Sequence, residues 1–345
     1  MADNKVALLT DTHFGARKGS ELFHSYFKEF YDKTFFKYLD DNNIKTVIHL
    51  GDCFDVRKSI DYFSLNWAKT NFFTPLKERG IDLHLIIGNH DIFYKNSLSL
   101  NAPTLNLAEY DNISIYDSPQ TASICGRQIF MTPWICEDNA EEFIEQLEVT
   151  DASICMGHLE LTGFYANKDY KCEHGTDPKN FDRFDQVFSG HFHKKSSKGN
   201  VTYLGNTYQM YWNDEGETRG FHILDLKTNE LEFVPNPTSM FHKIYCKSGQ
   251  LINPTKYSNC FIKLIVEEGV SPIQTSNLVD SLYNGGCHDV KVIENMNLDI
   301  HEDVDVDMED TLTTLTNYVK AMDDGLNKNN IMNIFKSLYI EAQEV

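Results

Sequence analysis

The sequence lacks any apolar run long enough to cross a bilayer. Its longest, such as Val6–Leu9 and Leu83–Ile87, fall far short of the roughly 20 residues that a spanning helix needs. Met1-Ala2-Asp3-Asn4 does not open a secretory leader, so a cytoplasmic protein without membrane attachment is expected. Cysteine pairs are missing too. The eight cysteines are scattered singly with no CxxC, which excludes a disulfide framework and reads as reduced thiols. No internal repeat is found. Excess positive charge is also absent, with 31 bases against 51 acids for a net charge of −20. That deficit is local: Glu137–Asp151 and Asp299–Asp310 each hold seven acids and no base. Over Glu160–Gly199 seven bases face six acids, so net charge does not exclude a nucleic-acid partner.

What is present is material for a full-sized core. Hydrophobic residues are 41% and aromatics 12% of 345, with 23 Phe and 17 Tyr, which excludes a disordered chain. The length suits one large domain and a smaller one. In the first 160 residues short β-rich runs alternate with helix-period segments. Val6–Leu9, Thr46–Leu50 and Leu83–Ile87 read as strands. Between them lie an aromatic amphipathic helix over Glu21–Leu39, with Ser20 as its N-cap, and a helical stretch over Ser64–Arg79 that Gly80 ends. This order predicts a mainly parallel, layered α/β fold. Hairpins are expected around Gly126 and around Lys227-Thr228-Asn229, and short buried strands at Ile154–Met156 and Val187–Ser189. Pro235-Asn236-Pro237 marks a boundary, so residues 1–237 form the first domain and 241–297 a small β-α-β unit. Residues 298–310 then read as an acidic linker, and 311–345 as two amphipathic helices.

Five short motifs follow predicted strands: Asp11-Thr12-His13, Gly51-Asp52, Gly88-Asn89-His90-Asp91, Gly157-His158 and Gly190-His191-Phe192-His193. Loops at the carboxyl ends of strands in an open α/β sheet converge on one crevice. Carboxylate, imidazole and amide oxygen suit Mn, Fe or Zn, and no thiolate is offered. Asp11, His13, Asp52, Asn89, His158, His191 and His193 exceed the needs of one ion, and a carboxylate can bridge two. Taken singly, an Asp-x-His, a Gly-Asp or an HxH is noise, and HxH alone is compatible with a half-buried strand. Five in this order are not. Four of the loops run into bases, at Arg17-Lys18, Arg57-Lys58, Lys95 and Lys194-Lys195, with Tyr94 and Phe192 interleaved as possible stacking surfaces. The acidic helix at Glu137–Glu148 is expected to lie away from any DNA.

Together the five motifs resemble the signature of calcineurin-like metallophosphoesterases, over about the first 200 residues. Gly51-Asp52-Cys53-Phe54-Asp55 followed by Arg57-Lys58, together with the small domain after residue 240, resembles the SbcD-type DNA repair and recombination nucleases, their T-even-type phage members included. The resemblance implies central β-sheets flanked by helices, a small α+β capping domain and C-terminal helices. It implies two divalent cations, manganese first and magnesium second. One would be held by Asp11, His13, Asp52 and His193, the other by Asp52, Asn89, His158 and His191. His90 would act near the scissile phosphate, and Asp91 would orient the His90 ring or else cap a turn. Asp55 stands where many cellular members carry His, and is a further candidate for the chemistry. Implied partners are DNA, a second copy of the chain, and an SbcC-type coiled-coil ATPase in a heterotetramer. The C-terminal helices would grip the ATPase or fold back as a lid. A phosphoprotein phosphatase or nucleotidase with the same site is the alternative enzyme. A scaffold without chemistry is disfavoured, because no ligand position is substituted.

Overall fold

The computed structural model describes residues 4–165, 171–173, 175–247 and 252–294. These lie within one compact unit, Met1–Met296. The acidic linker and C-terminal helices expected at 298–310 and 311–345 lie outside the described residues.

Two six-stranded sheets carry the fold. In the first, Lys5–Leu9, Thr46–His49, Asp82–Ile86 and Ile113–Tyr116 run parallel, and Gly220–Asp225 and Leu231–Pro235 extend the other edge antiparallel. In the second, Val201–Tyr203, Gln186–Ser189, Ile154–Gly157 and Arg127–Thr132 are parallel, with antiparallel strands Ser196–Lys198 and Gln120–Ile124 at the edges. Both expected hairpins are among these pairs. The apolar runs of the first sheet are continuous because both of its faces are covered. Val6, Leu8, Ile48 and Ile86 pack towards Ile129, Met131, Ile154 and Met156 of the second sheet. Ala7, Leu9, Val47, Leu83 and Leu85 pack towards the helices.

Those helices form an aromatic layer. Glu21–Phe30 passes through a π-turn at Tyr31–Phe35 into Phe36–Asp41, and Tyr62–Ala68 passes through another at Lys69–Phe73 into Thr74–Glu78. The π-turns put Tyr31 and Phe72 in contact, with ring centroids 5.1 Å apart, and Phe14 lies against both. Phe23, Phe27, Phe30 and Phe35 are buried in this layer as core. Ser20 makes no side-chain capping bond, whereas Asp61 caps the second helix by accepting from the Ser64 N–H at 2.8 Å. A third, all-parallel sheet, Phe241–Cys246, Phe261–Val266 and Asp289–Glu294, carries the helix Pro272–Asn284. It has one strand more than the expected β-α-β unit. Phe241 and Phe261 rest on Phe23, with centroids 6.1 and 5.7 Å away.

Candidate metal centre

The five motifs leave strands of both large sheets and meet in one place. The loops after Lys5–Leu9, Thr46–His49 and Asp82–Ile86 come from the first sheet, and those after Ile154–Gly157 and Gln186–Ser189 from the second. Asp11, His13, Asp52 and His191 all adopt positive φ, a conformation disfavoured for residues with a Cβ and concentrated at functional sites. Gly51 (φ 94°) and Gly190 are needed for close approach: a Cβ on the first would strike the His158 ring, and one on the second would strike Thr10 and the Leu50 carbonyl.

Two donor clusters result, Asp11, His13 and His193 in one and Asp52, His158 and His191 in the other. His13 Nε2 and His193 Nε2 are 3.1 Å apart. The His158 Nδ1–H donates to the Leu50 carbonyl at 2.7 Å, which turns Nε2 towards Asn89 Oδ1 at 3.0 Å and Asp52 Oδ2 at 3.2 Å. Asn89 Oδ1 also lies 2.9 Å from His191 Nδ1. Asp52 Oδ2 is 3.8 Å from His13 Nε2, so a single carboxylate faces both clusters. The backbone N–H of His191 donates to both oxygens of Asp11, and that of His90 to Asp52 Oδ1 at 2.8 Å.

This pocket calls for positive charge. Burial opposes ionisation of Asp52, but His158 and His90 beside it hold its carboxyl well below the usual range. Burial disfavours a charged His13, yet Asp55 and Asp52 outweigh it and push the ring up to about 10. His158 is pushed up to about 9 against its burial by Asp52. Burial and the neighbouring His13 hold His193 well below the ordinary histidine value. Buried oxygen and nitrogen acceptors that converge in this way need cations or protons between them. The mixed carboxylate, amide and imidazole donor set therefore fits two divalent cations.

The remaining candidates separate. His90 is held by a 2.6 Å contact from its Nδ1 to the main-chain carbonyl of Asp55, and its ring centroid is 4.9 Å from that of His13. Asp91 does not orient His90. Its buried carboxylate accepts from the backbone N–H groups of Cys53, Phe54 and Gly88 at 2.9–3.0 Å, and so bolts two ligand loops together. The Asp55 side chain points to His13 Nδ1, 3.2 Å away. Of the basic residues, Lys18, Lys58, Lys95 and Lys195 are exposed, and Arg17, Arg57 and Lys194 are half-buried. Lys194 is 4.0 Å from Glu217, and the Lys195 ammonium lies 3.3 Å from the centroid of Phe233. Tyr94 is exposed, but Phe192 is buried and stacked on Tyr203, with centroids 4.6 Å apart, so it offers no surface to a base.

Three residues were not anticipated. Trp134, just beyond the Arg127–Thr132 strand, sets its ring 5.0 Å from His191 and 6.2 Å from His158. Arg219, nearly buried, donates to the His193 carbonyl and pairs with Asp214 at 2.7 Å. Tyr208 supports the first ligand loop through Thr12. The Thr-Pro-Trp step after a strand was the one sequence signal among them.

Residues 4–195 match the calcineurin-like phosphoesterases, and the ligand clusters fall within that span. The chain belongs to the calcineurin-like phosphoesterase family. Within it, exonuclease subunit 1 of Enterobacteria phage T4 is 33% identical over 346 residues, covering 99% of this chain and all of the phage protein. This phosphoesterase therefore aligns from end to end with a nuclease subunit. Among solved structures, a novel archaeal phosphodiesterase covers 67% of this chain and 99% of its own, at 13% identity and a TM-score of 0.35. The Pseudomonas putida nuclease MPE covers 68% and 93%, at 16% identity and a TM-score of 0.31. Both superpositions are loose, and the family assignment rests on the sequence matches. Among the described residues no helix is long and apolar enough to cross a membrane.

Proposed function

We propose that this phosphoesterase is a two-metal DNA nuclease, with exonuclease and endonuclease action in recombination and double-strand-break processing. The observation that carries the reading is Asp52, whose Oδ2 faces His158 at 3.2 Å and His13 at 3.8 Å and so joins two donor clusters through one carboxylate. The nuclease name of the phage relative, aligned over the whole chain, supports DNA as substrate, and its designation as a subunit supports a partner. Asp11, His13, Asp52 and His193 would hold one cation, and Asp52, Asn89, His158 and His191 the other, with manganese preferred. Bound there, such ions supply charge neutralisation on a phosphodiester and acidification of a water. His90 has its Nδ1 proton committed to the Asp55 carbonyl. A proton on its Nε2 is therefore the one available to the leaving oxygen. Asp91 keeps the Asp52 and Asn89 loops in register for that geometry.

Lys18, Lys58 and Lys95 are exposed on loops that follow three of the motifs and would track the phosphate backbone. Arg17, Arg57, Lys194 and Lys195 belong to the same rim in the sequence, with the Lys195 ammonium over the ring of Phe233. Residues 241–297 would act as the capping domain. A homodimer joined to an SbcC-type ATPase, at work in the cytoplasm, completes the proposal. The test is digestion of end-labelled and circular DNA with Mn2+ or Mg2+, with and without a partner ATPase, set beside a phosphoprotein and a nucleotide. Metal-dependent cleavage of DNA that Asp52→Ala abolishes supports the reading. Turnover of the phosphoprotein or nucleotide alone would replace it with a phosphatase or nucleotidase.

A further inference from the structure

We infer that Asp55 is a positioning residue that sets the cation affinity of the Asp11, His13 and His193 cluster by fixing the ring of His13. The inference rests on the two-cation reading above and adds a role to this chain's own side chain. Asp55 Oδ1 lies 3.2 Å from His13 Nδ1, and both side chains are largely shielded from water. A neutral imidazole carries one proton and offers one lone pair. The carboxylate lies off the line of a hydrogen bond to Nδ1, but its charge at 3.2 Å favours the proton on that nitrogen. It leaves Nε2, which faces His193 Nε2 at 3.1 Å and Asp52 Oδ2 at 3.8 Å, as the ligand atom. An anionic acceptor also makes Nε2 a stronger base towards a cation.

The other cluster is built differently. His158 donates its Nδ1–H to a backbone carbonyl, that of Leu50, at 2.7 Å. His191 Nε2 has Glu160 only at 3.7 Å, with that side chain 39% exposed. A charged, shielded partner directly behind a ligand ring is thus a feature of His13. Asp55 also divides its labour. Its side chain serves His13, whereas its main-chain carbonyl accepts from His90 Nδ1 at 2.6 Å and its N–H donates to the Phe14 carbonyl at 3.2 Å. Replacing the side chain removes the first contact and leaves the atoms of the other two in the chain. The effect should therefore fall on the affinity of one cation site and not on His90.

The experiment is a Mn2+ titration of the full chain, followed by the free-ion EPR signal, in wild type, Asp55→Ala and Asp55→Asn. Wild type should bind two Mn2+. In Asp55→Ala one of the two should weaken about 10- to 100-fold while the other holds. Asp55→Asn, which keeps the shape and an acceptor oxygen but loses the charge, should fall between them, and it carries the test if the alanine variant does not fold. Hydrolysis of a chromogenic phosphodiester should be depressed at limiting Mn2+ and recover as Mn2+ saturates. Equal affinities in all three proteins would overturn the role given to Asp55. So would a tenfold or larger loss of kcat that persists at saturating Mn2+, because that places the side chain at the reacting phosphate. Wild type binding fewer than two Mn2+ overturns the two-cation reading itself, a result distinct from either.

Discussion

The Tyr208 hydroxyl donates a 2.6 Å hydrogen bond to the carbonyl of Thr12, the residue between the candidate ligands Asp11 and His13. Tyr208 is itself stacked on Phe27, with centroids 3.9 Å apart, so the first ligand loop is tied to the aromatic helix layer. Tyr208→Phe keeps the ring and removes the donor from a buried carbonyl. It should destabilise the protein by about 1–2 kcal/mol. Urea unfolding with EDTA present measures this, and a variant as stable as wild type would mean that the loop does not depend on the bond.

His90→Ala should retain both Mn2+ in the EPR titration and lose about 10²- to 10⁴-fold in kcat, the usual contribution of a general acid. Its ring touches the clusters through His13 and the Asp55 carbonyl, while its N–H to Asp52 belongs to the backbone and survives the substitution. Loss of a bound Mn2+ in this variant would make His90 a ligand.

Lys58 and Lys95 are exposed on two of the loops that follow the ligands. The double variant Lys58→Ala, Lys95→Ala should flatten the plot of log K against log[salt] for duplex DNA by about 1.8. Fluorescence anisotropy at several salt concentrations gives the slopes. An unchanged slope in the double variant removes these lysines from the DNA track.

His222 is buried in the Gly220–Asp225 strand beside Phe233, and burial, with the charge of Lys195, holds its ring down to about 3. As pH falls below 6.5 the unfolded ring takes up a proton that the folded ring refuses, so stability drops between pH 6.5 and 3. His222→Leu should escape this loss. Between pH 7 and pH 5 its unfolding free energy in EDTA should fall by about 2 kcal/mol less than that of wild type. Equal losses in the two proteins would show that His222 titrates in the folded state.

The candidate metal centre was legible in the sequence because each candidate ligand sits within a few residues of a strand end, and such ends are marked locally by an apolar run and, before four of the five motifs, a glycine. What the sequence hid depends on distant partners. Phe192 lies between two ligand histidines, and strand-like alternation turns it inward onto Tyr203, which lies eleven residues further along the chain. Asp91 looked like a partner for its neighbour His90, yet it reaches backbone amides nearly forty residues away. The π-turns at Tyr31–Phe35 and Lys69–Phe73 left no mark either, since the apolar spacing runs on through them. Two-sheet packing is likewise a long-range fact: Val6 and Leu8 show only that both faces of their strand are buried.

Because Asp91 clamps the Cys53-Phe54 turn and Gly88 with one carboxylate, Asp52 and Asn89 cannot shift independently. They form a fixed jaw. Of the histidines on the second sheet, His158 stands on one loop and His191 and His193 share another, and none of the three is held by that clamp. An ion of different radius must therefore be accommodated by candidate ligands outside that clamp. Attempts to retune which metal this enzyme prefers should reshape the surroundings of those three histidines, and leave the aspartate clamp intact.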